Sequence, residues 1–221
     1  MTWIKICGIT NTEDALTAVD AGADALGFVF HAKSPRRVDP ESVWEIAGQL
    51  PASVEKVGVF VDADLRLIRA TVSTAGLTAI QLHGKYSMDS FFSQPLDDNG
   101  VPKVIAVVAG DSLKSERIDL EERVRQRAFA VLLDSRCDGA AGGTGTMFDW
   151  ESTRGTVQNF GCLVPVIVAG GLNPSNVGQA MKLFEPFGVD VSSGVEARPG
   201  KKDREKVRDF VAAVRRRDQE S

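Results

Sequence analysis

Short apolar runs of strand-like character recur along the 221-residue chain about every 28 residues, each followed by a helical or polar segment. The eight runs are "WIKIC" (3–7), "ALGFVF" (25–30), "VEKVGVFV" (54–61), "LTAIQLH" (77–83), "VPKVIAVV" (101–108), "AFAVLLD" (128–134), "VPVIVAG" (164–170) and "GVDVSSG" (188–194). Helices are expected near 12–21, 40–50, 64–75, 87–94, 176–184 and 203–217. The connection 109–127 is rich in charge and poor in helical periodicity. The spacing is close to the ~30 residues of a βα unit. Runs such as "VIVA" and "VLL" are apolar without alternation, which suits parallel strands covered on both faces. Crossovers between parallel strands are right-handed, and eight such units close into a (β/α)8 TIM barrel. An open doubly wound sheet is the alternative. It would usually show G-x-G-x-x-G after the first strand, and here that turn reads "CGITNTED". With no linker or low-complexity segment, one domain over 1–221 is expected, with the charged tail from 216 to 221 frayed.

Composition narrows the partners. A formal net charge of −4 gives no global field for nucleic acid or an anionic membrane, so an anionic ligand must be held by local groups. No apolar run approaches the ~20 residues that cross a bilayer. The first residues read as a strand, so no signal peptide is expected. The three cysteines, at 7, 137 and 162, show no metal-like spacing, and a reducing cytoplasm fits them best. Neither a metal nor another cofactor is expected.

In a βα barrel the chemistry sits where strands end, on the βα loops. The strand-closing residues include Cys7, His31, Asp62, His83, Asp134, the Gly170–Gly171 pair and Ser192–Ser193–Gly194. Cys7 reads as a small apolar filler or as a reactive thiol. Asp134, ending "VLLD", is hydrogen-bonded, exposed at the mouth, or a proton donor. His83, ending "IQLH", contacts a ligand or packs in the core. Arg36, after a proline in "KSPRRV" (33–38), is a candidate bidentate clamp for a carboxylate; Arg37 fits a solvated loop charge better. Glycines gather late, in "GGTG" (142–145), "AGG" (169–171) and "SSG" (192–194). Either they shape tight turns, or their backbone N–H groups converge on a phosphate, as in the loops after strands 7 and 8 of this fold.

Taken together, "KICGIT" (5–10), "GADALGFVF" (22–30), "KSPRRV", "KVGVFV" (56–61), "QLHG" (81–84), "LLDS" (132–135), "GGTG", "FDW" (148–150), "AGGLNPSNV" (169–177) and "GVDVSSGVE" (188–196) closely resemble phosphoribosylanthranilate isomerases. The resemblance implies a barrel without metal or cofactor. It implies an Amadori rearrangement of N-(5′-phosphoribosyl)anthranilate to 1-(2-carboxyphenylamino)-1-deoxyribulose 5-phosphate in tryptophan biosynthesis. It assigns the general base to Cys7, the general acid to Asp134 and the anthranilate carboxylate to Arg36. His83 is placed in the same pocket, and the phosphate on the loops holding Gly143, Gly145, Gly171, Ser193 and Gly194. The expected partner is this small phosphorylated substrate, with no nucleic acid or membrane, in a monomer or a homodimer. A base cysteine must ionise readily, and nearby cations are expected to lower its pKa. Two departures stand out. Thr146-Met147-Phe148 follows "GGTG" where Lys-Thr-Phe is common, and Lys85-Tyr86 follows "QLHG" where an acidic pair is common. The other readings are a barrel isomerase of a histidine-pathway phosphoribosyl compound, which usually pairs two strand-end aspartates, and a barrel that only binds a phosphometabolite.

Alternation along a strand sends Lys5 to the same side as Cys7, one layer deeper. A buried lysine needs an acidic partner, and Asp190, two residues before Ser192, is the expected one. The plainer alternative is a Lys5 that reaches water at the barrel floor.

Overall fold

The computed structural model describes residues 1–84, 102–109, 128–134, 157 and 161–220. Eight parallel strands close a barrel in sequence order: β1 (Trp3–Cys7), β2 (Ala25–Val29), β3 (Glu55–Val61), β4 (Ala79–His83), β5 (Lys103–Ala109), β6 (Ala130–Asp134), β7 (Val166–Ala169) and β8 (Gly188–Val191). β8 pairs with β1, so no edge is left open. The helices described are α1 (Thr12–Ala21), α2 (Pro40–Ala47), α3 (Leu65–Ala75), α4 (Val177–Phe184) and α5 (Arg204–Gln219). The helix expected at 87–94 and most of the connection 109–127 lie outside the described residues.

Local chemistry sets the helix starts. Asn11, Asp39, Asp64 and Asp203 each accept a backbone N–H from the first turn that follows, and Pro40 opens α2 just behind its cap. Gly22, at φ 103°, closes α1 in the left-handed conformation that a side chain would oppose.

Two apolar layers follow from strand alternation. Ile4, Ile6, Leu26, Phe28, Ile80, Leu82, Val131, Leu133, Val189 and Val191 face the helices. Ala25, Val57, Ala79, Ile105, Ala130, Leu132, Ile167 and Ala169 fill the barrel interior. By the same alternation Lys5, Cys7, Gln81, His83, Asp134 and Asp190 point inward.

Two features depart from the sequence reading. The run "GVDVSSG" stops being a strand at Val191. It continues as a short 3-10 turn (Ser193–Val195) and then a small antiparallel hairpin, β9 (Glu196–Arg198) with β10 (Lys201–Lys202). The tail expected to fray from residue 216 is helical to Gln219. Asp218 accepts the backbone N–H of Thr2 at 3.1 Å and its hydroxyl at 2.6 Å, and Arg215 donates to the Thr2 carbonyl at 2.6 Å. The charges that look solvated in sequence thus bind the helix end to the start of β1.

Candidate active site

Cys7 ends β1 facing the barrel interior and is 7% exposed. Space for its sulfur comes from β2, where Gly27 is its register partner. A Cβ on Gly27 would lie 2.8 Å from Cys7 Sγ and 3.1 Å from Lys5 Cε. Gly8 then turns the chain at φ 80°, where a Cβ would meet Arg36 Cδ at 2.6 Å and Ser192 Oγ at 3.1 Å. This close approach brings the end of β1, the loop after β2 and the end of β8 together at one rim.

Burial is the largest influence on the Cys7 thiol and pushes its pKa up; the charges of Lys5 and Lys202 pull it down, and Asp190 pushes it up again. The net shift is upward, contrary to the sequence expectation, because desolvation of the thiolate outweighs the two cations. The expected Lys5–Asp190 pair is present, with Lys5 Nζ 2.8 Å from Asp190 Oδ1 and Lys5 wholly buried.

Arg36 carries a bidentate pair, but to an internal carboxylate. Its Nε and Nη2 donate to Glu196 Oε1 and Oε2 at 2.8 and 2.7 Å. These hydrogen bonds raise the Arg36 pKa above its already high value, against a smaller opposing effect of burial. Burial pushes the Glu196 carboxyl up, but Arg36 and Lys202 together hold it below the usual glutamate range. Arg37 is exposed, as its sequence context suggests.

Lys202, like Glu196, is a member of this cluster that the sequence reading missed. Its side chain is 1% exposed, and burial lowers its pKa despite the opposing charge of Glu196. Nζ donates to the carbonyls of Cys7 (2.6 Å) and Ser192 (3.1 Å) and to Glu196 Oε1 (3.2 Å). All three ammonium hydrogens are used, and the last residues of β1 and the first after β8 are held by one cation. Glu196 and Lys202 both belong to the β9–β10 hairpin. The only sequence signal for it is the Pro199-Gly200 turn between "EAR" and "KK".

His83 closes β4, and its Nε2 lies 2.8 Å from the side-chain nitrogen of Gln81. Gln81 is 3% exposed, and its Oε1 is buried with no hydrogen-bond partner among the described residues. Asp134 closes β6 in register with Ala169 of β7 and is partly exposed at the mouth. In the ring β6 stands three strands from β1, by way of β7 and β8.

Of the glycine loops, those after β7 and β8 touch. A Cβ on Gly194 would fall 1.9 Å from the Leu172 carbonyl oxygen, so only glycine allows this approach. Gly171 takes φ 68° with open space around it, and Ser193 is exposed. Gly143 and Gly145 lie outside the described residues, as do Lys85, Tyr86, Thr146 and Met147. The structure therefore brings Cys7, Arg36, Gly171, Ser193 and Gly194 to the side of the mouth formed by β1, β7 and β8. His83 and Asp134 stand on other strand ends of the same mouth.

Comparison with known proteins agrees over nearly the whole chain. Residues 4–213 match the family described as N-(5′-phosphoribosyl)anthranilate (PRA) isomerase. The N-(5′-phosphoribosyl)anthranilate isomerase of Geobacter sp. (strain M21) is 44% identical, covering 98% of this chain and 99% of its own. The crystal structure of phosphoribosyl anthranilate isomerase from Thermotoga maritima matches with a TM-score of 0.81 at 39% identity, covering 97% of this chain and 99% of that one. A phosphoribosyl anthranilate isomerase in complex with reduced 1-(o-carboxyphenylamino)-1-deoxyribulose 5-phosphate matches with a TM-score of 0.77 at 38% identity, over 97% and 99% of the two chains. On these matches and the closed barrel, this chain belongs to the N-(5′-phosphoribosyl)anthranilate isomerase family of tryptophan biosynthesis.

Proposed function

We propose that the barrel mouth converts N-(5′-phosphoribosyl)anthranilate to 1-(2-carboxyphenylamino)-1-deoxyribulose 5-phosphate, with Cys7 as general base and Asp134 as general acid. The observation that carries the reading is the place of Cys7. An inward-facing thiol ends β1 beside a guanidinium, with a glycine-built recess for its sulfur. Protonated Asp134 gives its proton to the ring oxygen as the C1′–O bond breaks, and the anilinic nitrogen forms an iminium. The Cys7 thiolate takes the proton from C2′, and the electrons of that bond give the enolamine. The Asp134 carboxylate then takes the enol proton as the Cys7 thiol gives its proton to C1′, which completes the aminoketose and restores both groups. The acid and base act on different atoms of one sugar, which suits groups on separate strands.

Arg36 suits the carboxylate of the anthranilate ring. Its Nε–Nη2 side is taken by Glu196. The Nη1–Nη2 end still offers two parallel donors, the geometry that matches a second carboxylate. Glu196 thereby fixes the plane of the guanidinium before substrate arrives. The touching loops of Gly171 and Ser193–Gly194 suit the phosphate through backbone N–H groups, and the resemblance adds Gly143 and Gly145. His83 lines the same space from β4. Anchors at both ends of the substrate would hold the sugar between base and acid, where positioning contributes most.

The test is consumption of freshly made phosphoribosylanthranilate, followed by its fluorescence. Wild type should consume it, and Asp134→Asn should lose at least about 100-fold in kcat with the fold intact. Full activity of Asp134→Asn would remove the acid assignment. Binding without turnover by wild type would overturn the reading as a whole.

A further inference from the structure

Lys5 has no part in the mechanism above, yet it heads the largest fully buried side chains of the protein. Its register partners are Ala25 on β2 and Asp190 on β8. Its side chain does not stay in that layer. Lys5 Cε lies 3.1 Å from the Cβ position of Gly27, the residue level with Cys7, and Cys7 Sγ borders the same spot at 2.8 Å. The lysine therefore climbs one layer toward the mouth, beneath the thiol, while Asp190 holds its Nζ at 2.8 Å.

We propose that Lys5 is a positioning residue, the fixed counter-charge of the Cys7 thiolate, oriented by Asp190. The proposal rests on Cys7 being the general base. A buried ion pair is a poor stabilising device, since desolvation cancels most of its attraction and apolar residues of similar volume serve as well. A cation placed under the inward-facing thiol has a use that a methionine there would not. The direction of each influence agrees. Burial works against the Lys5 charge, but Asp190 and Cys7 both raise its pKa, and the net shift is upward. On the thiol, Lys5 is the strongest influence that favours ionisation, acting through its charge and as a donor. Among the described residues the other charged groups facing the thiol are Asp190 from β8, Lys202 from β10 and Arg36 from the loop after β2. Glu196 neutralises part of the latter two. Lys202 also lowers the thiol pKa through its charge, but its hydrogens are committed to the Cys7 and Ser192 carbonyls and Glu196, so Lys5 is the cation that also donates to the sulfur.

The experiment uses the full chain with Cys137→Ser and Cys162→Ser, which leaves Cys7 as the only thiol. Thiolate absorbance near 240 nm is titrated in the free protein, and the pH profile of kcat/KM is measured separately. Lys5→Met strands Asp190, so the double variant Lys5→Met/Asp190→Asn, which removes both buried charges, is carried alongside. In Lys5→Met the thiol midpoint should rise by about 1–3 pH units, the usual effect of losing a neighbouring opposite charge, and in the double variant, which also loses the opposing charge of Asp190, it should rise by less. The low-pH limb of kcat/KM should move up by the same amount, with KM little changed. A folded variant with midpoint and limb unmoved would overturn the proposal and leave Cys7 as base untouched. A midpoint that rises while the limb stays would support the counter-charge and overturn the assignment of Cys7 as base.

Discussion

At the scale of single residues, the proposed base, the thiol of Cys7, has a pH signature of its own. A base acts in its deprotonated form, and burial raises the Cys7 pKa above that of a free thiol. In the protein whose other two cysteines are changed to serine, thiolate absorbance near 240 nm should therefore titrate with a midpoint above that of a free thiol. A midpoint at or below the free-thiol range would contradict it. Gly27 is the second residue with a sharp consequence. Gly27→Ala forces a methyl to within 2.8 Å of Cys7 Sγ. It should cost about 1–3 kcal/mol in urea unfolding and, by displacing the sulfur, lower kcat up to about 100-fold. The placing of Cys7 at the mouth of β1 and the Lys5–Asp190 pair were legible in the sequence, because a strand end and strand alternation set them without further help. The net direction of the thiol shift was not, since it depends on how far burial outweighs two cations, and burial is a property of the assembled barrel. The partner of Arg36 was equally hidden. Glu196 is 160 residues away and meets it only because β8 returns beside β1.

At the scale of elements, the β9–β10 hairpin does what no single strand end does. Lys202 ties the carbonyls of Cys7 and Ser192, Glu196 fixes Arg36, and the Thr10 hydroxyl donates to the Gly200 carbonyl at 2.6 Å. The Lys202 N–H also donates to Asp14 on α1 at 2.7 Å. Lys202→Met leaves two carbonyls without their donor. It should cost about 1–3 kcal/mol, read from the urea midpoint, and lower kcat more than it raises KM. An unchanged midpoint with unchanged kcat would show the hairpin to be incidental. Sequence periodicity reads the β8 run through to 194 and passes directly to the last helix, because the short "EAR" and "KK" segments around Pro199-Gly200 carry no apolar run. The eight strands themselves are legible because burial on both faces leaves each an uninterrupted apolar run.

At the scale of the whole molecule, ring closure and floor depend on the two chain ends meeting. β1 pairs with β8, and Trp3 stacks on Phe187 with ring centres 6.2 Å apart. Asp218 and Arg215 of α5 bind Thr2, and Arg215 reaches Asp24 at 3.1 Å. Burial raises the Asp218 pKa, but its bonds to Thr2 and Arg215 outweigh that and hold it below the usual aspartate range. A carboxyl depressed in the folded state stabilises above its unfolded pKa of about 4 and loses that contribution as pH falls through the folded value. Asp218→Asn should therefore lower the urea midpoint at pH 7 and converge with wild type near pH 2–3. A difference that stays constant with pH would refute the assignment. Whether this barrel isomerises phosphoribosylanthranilate through a base at the mouth of β1 is decided by the fluorescence assay on wild type, Cys7→Ser and Cys7→Ala, with circular dichroism to establish folding. Wild type should turn the substrate over, and both folded variants should lose at least about 100-fold. Wild-type rates in either would contradict a base at Cys7.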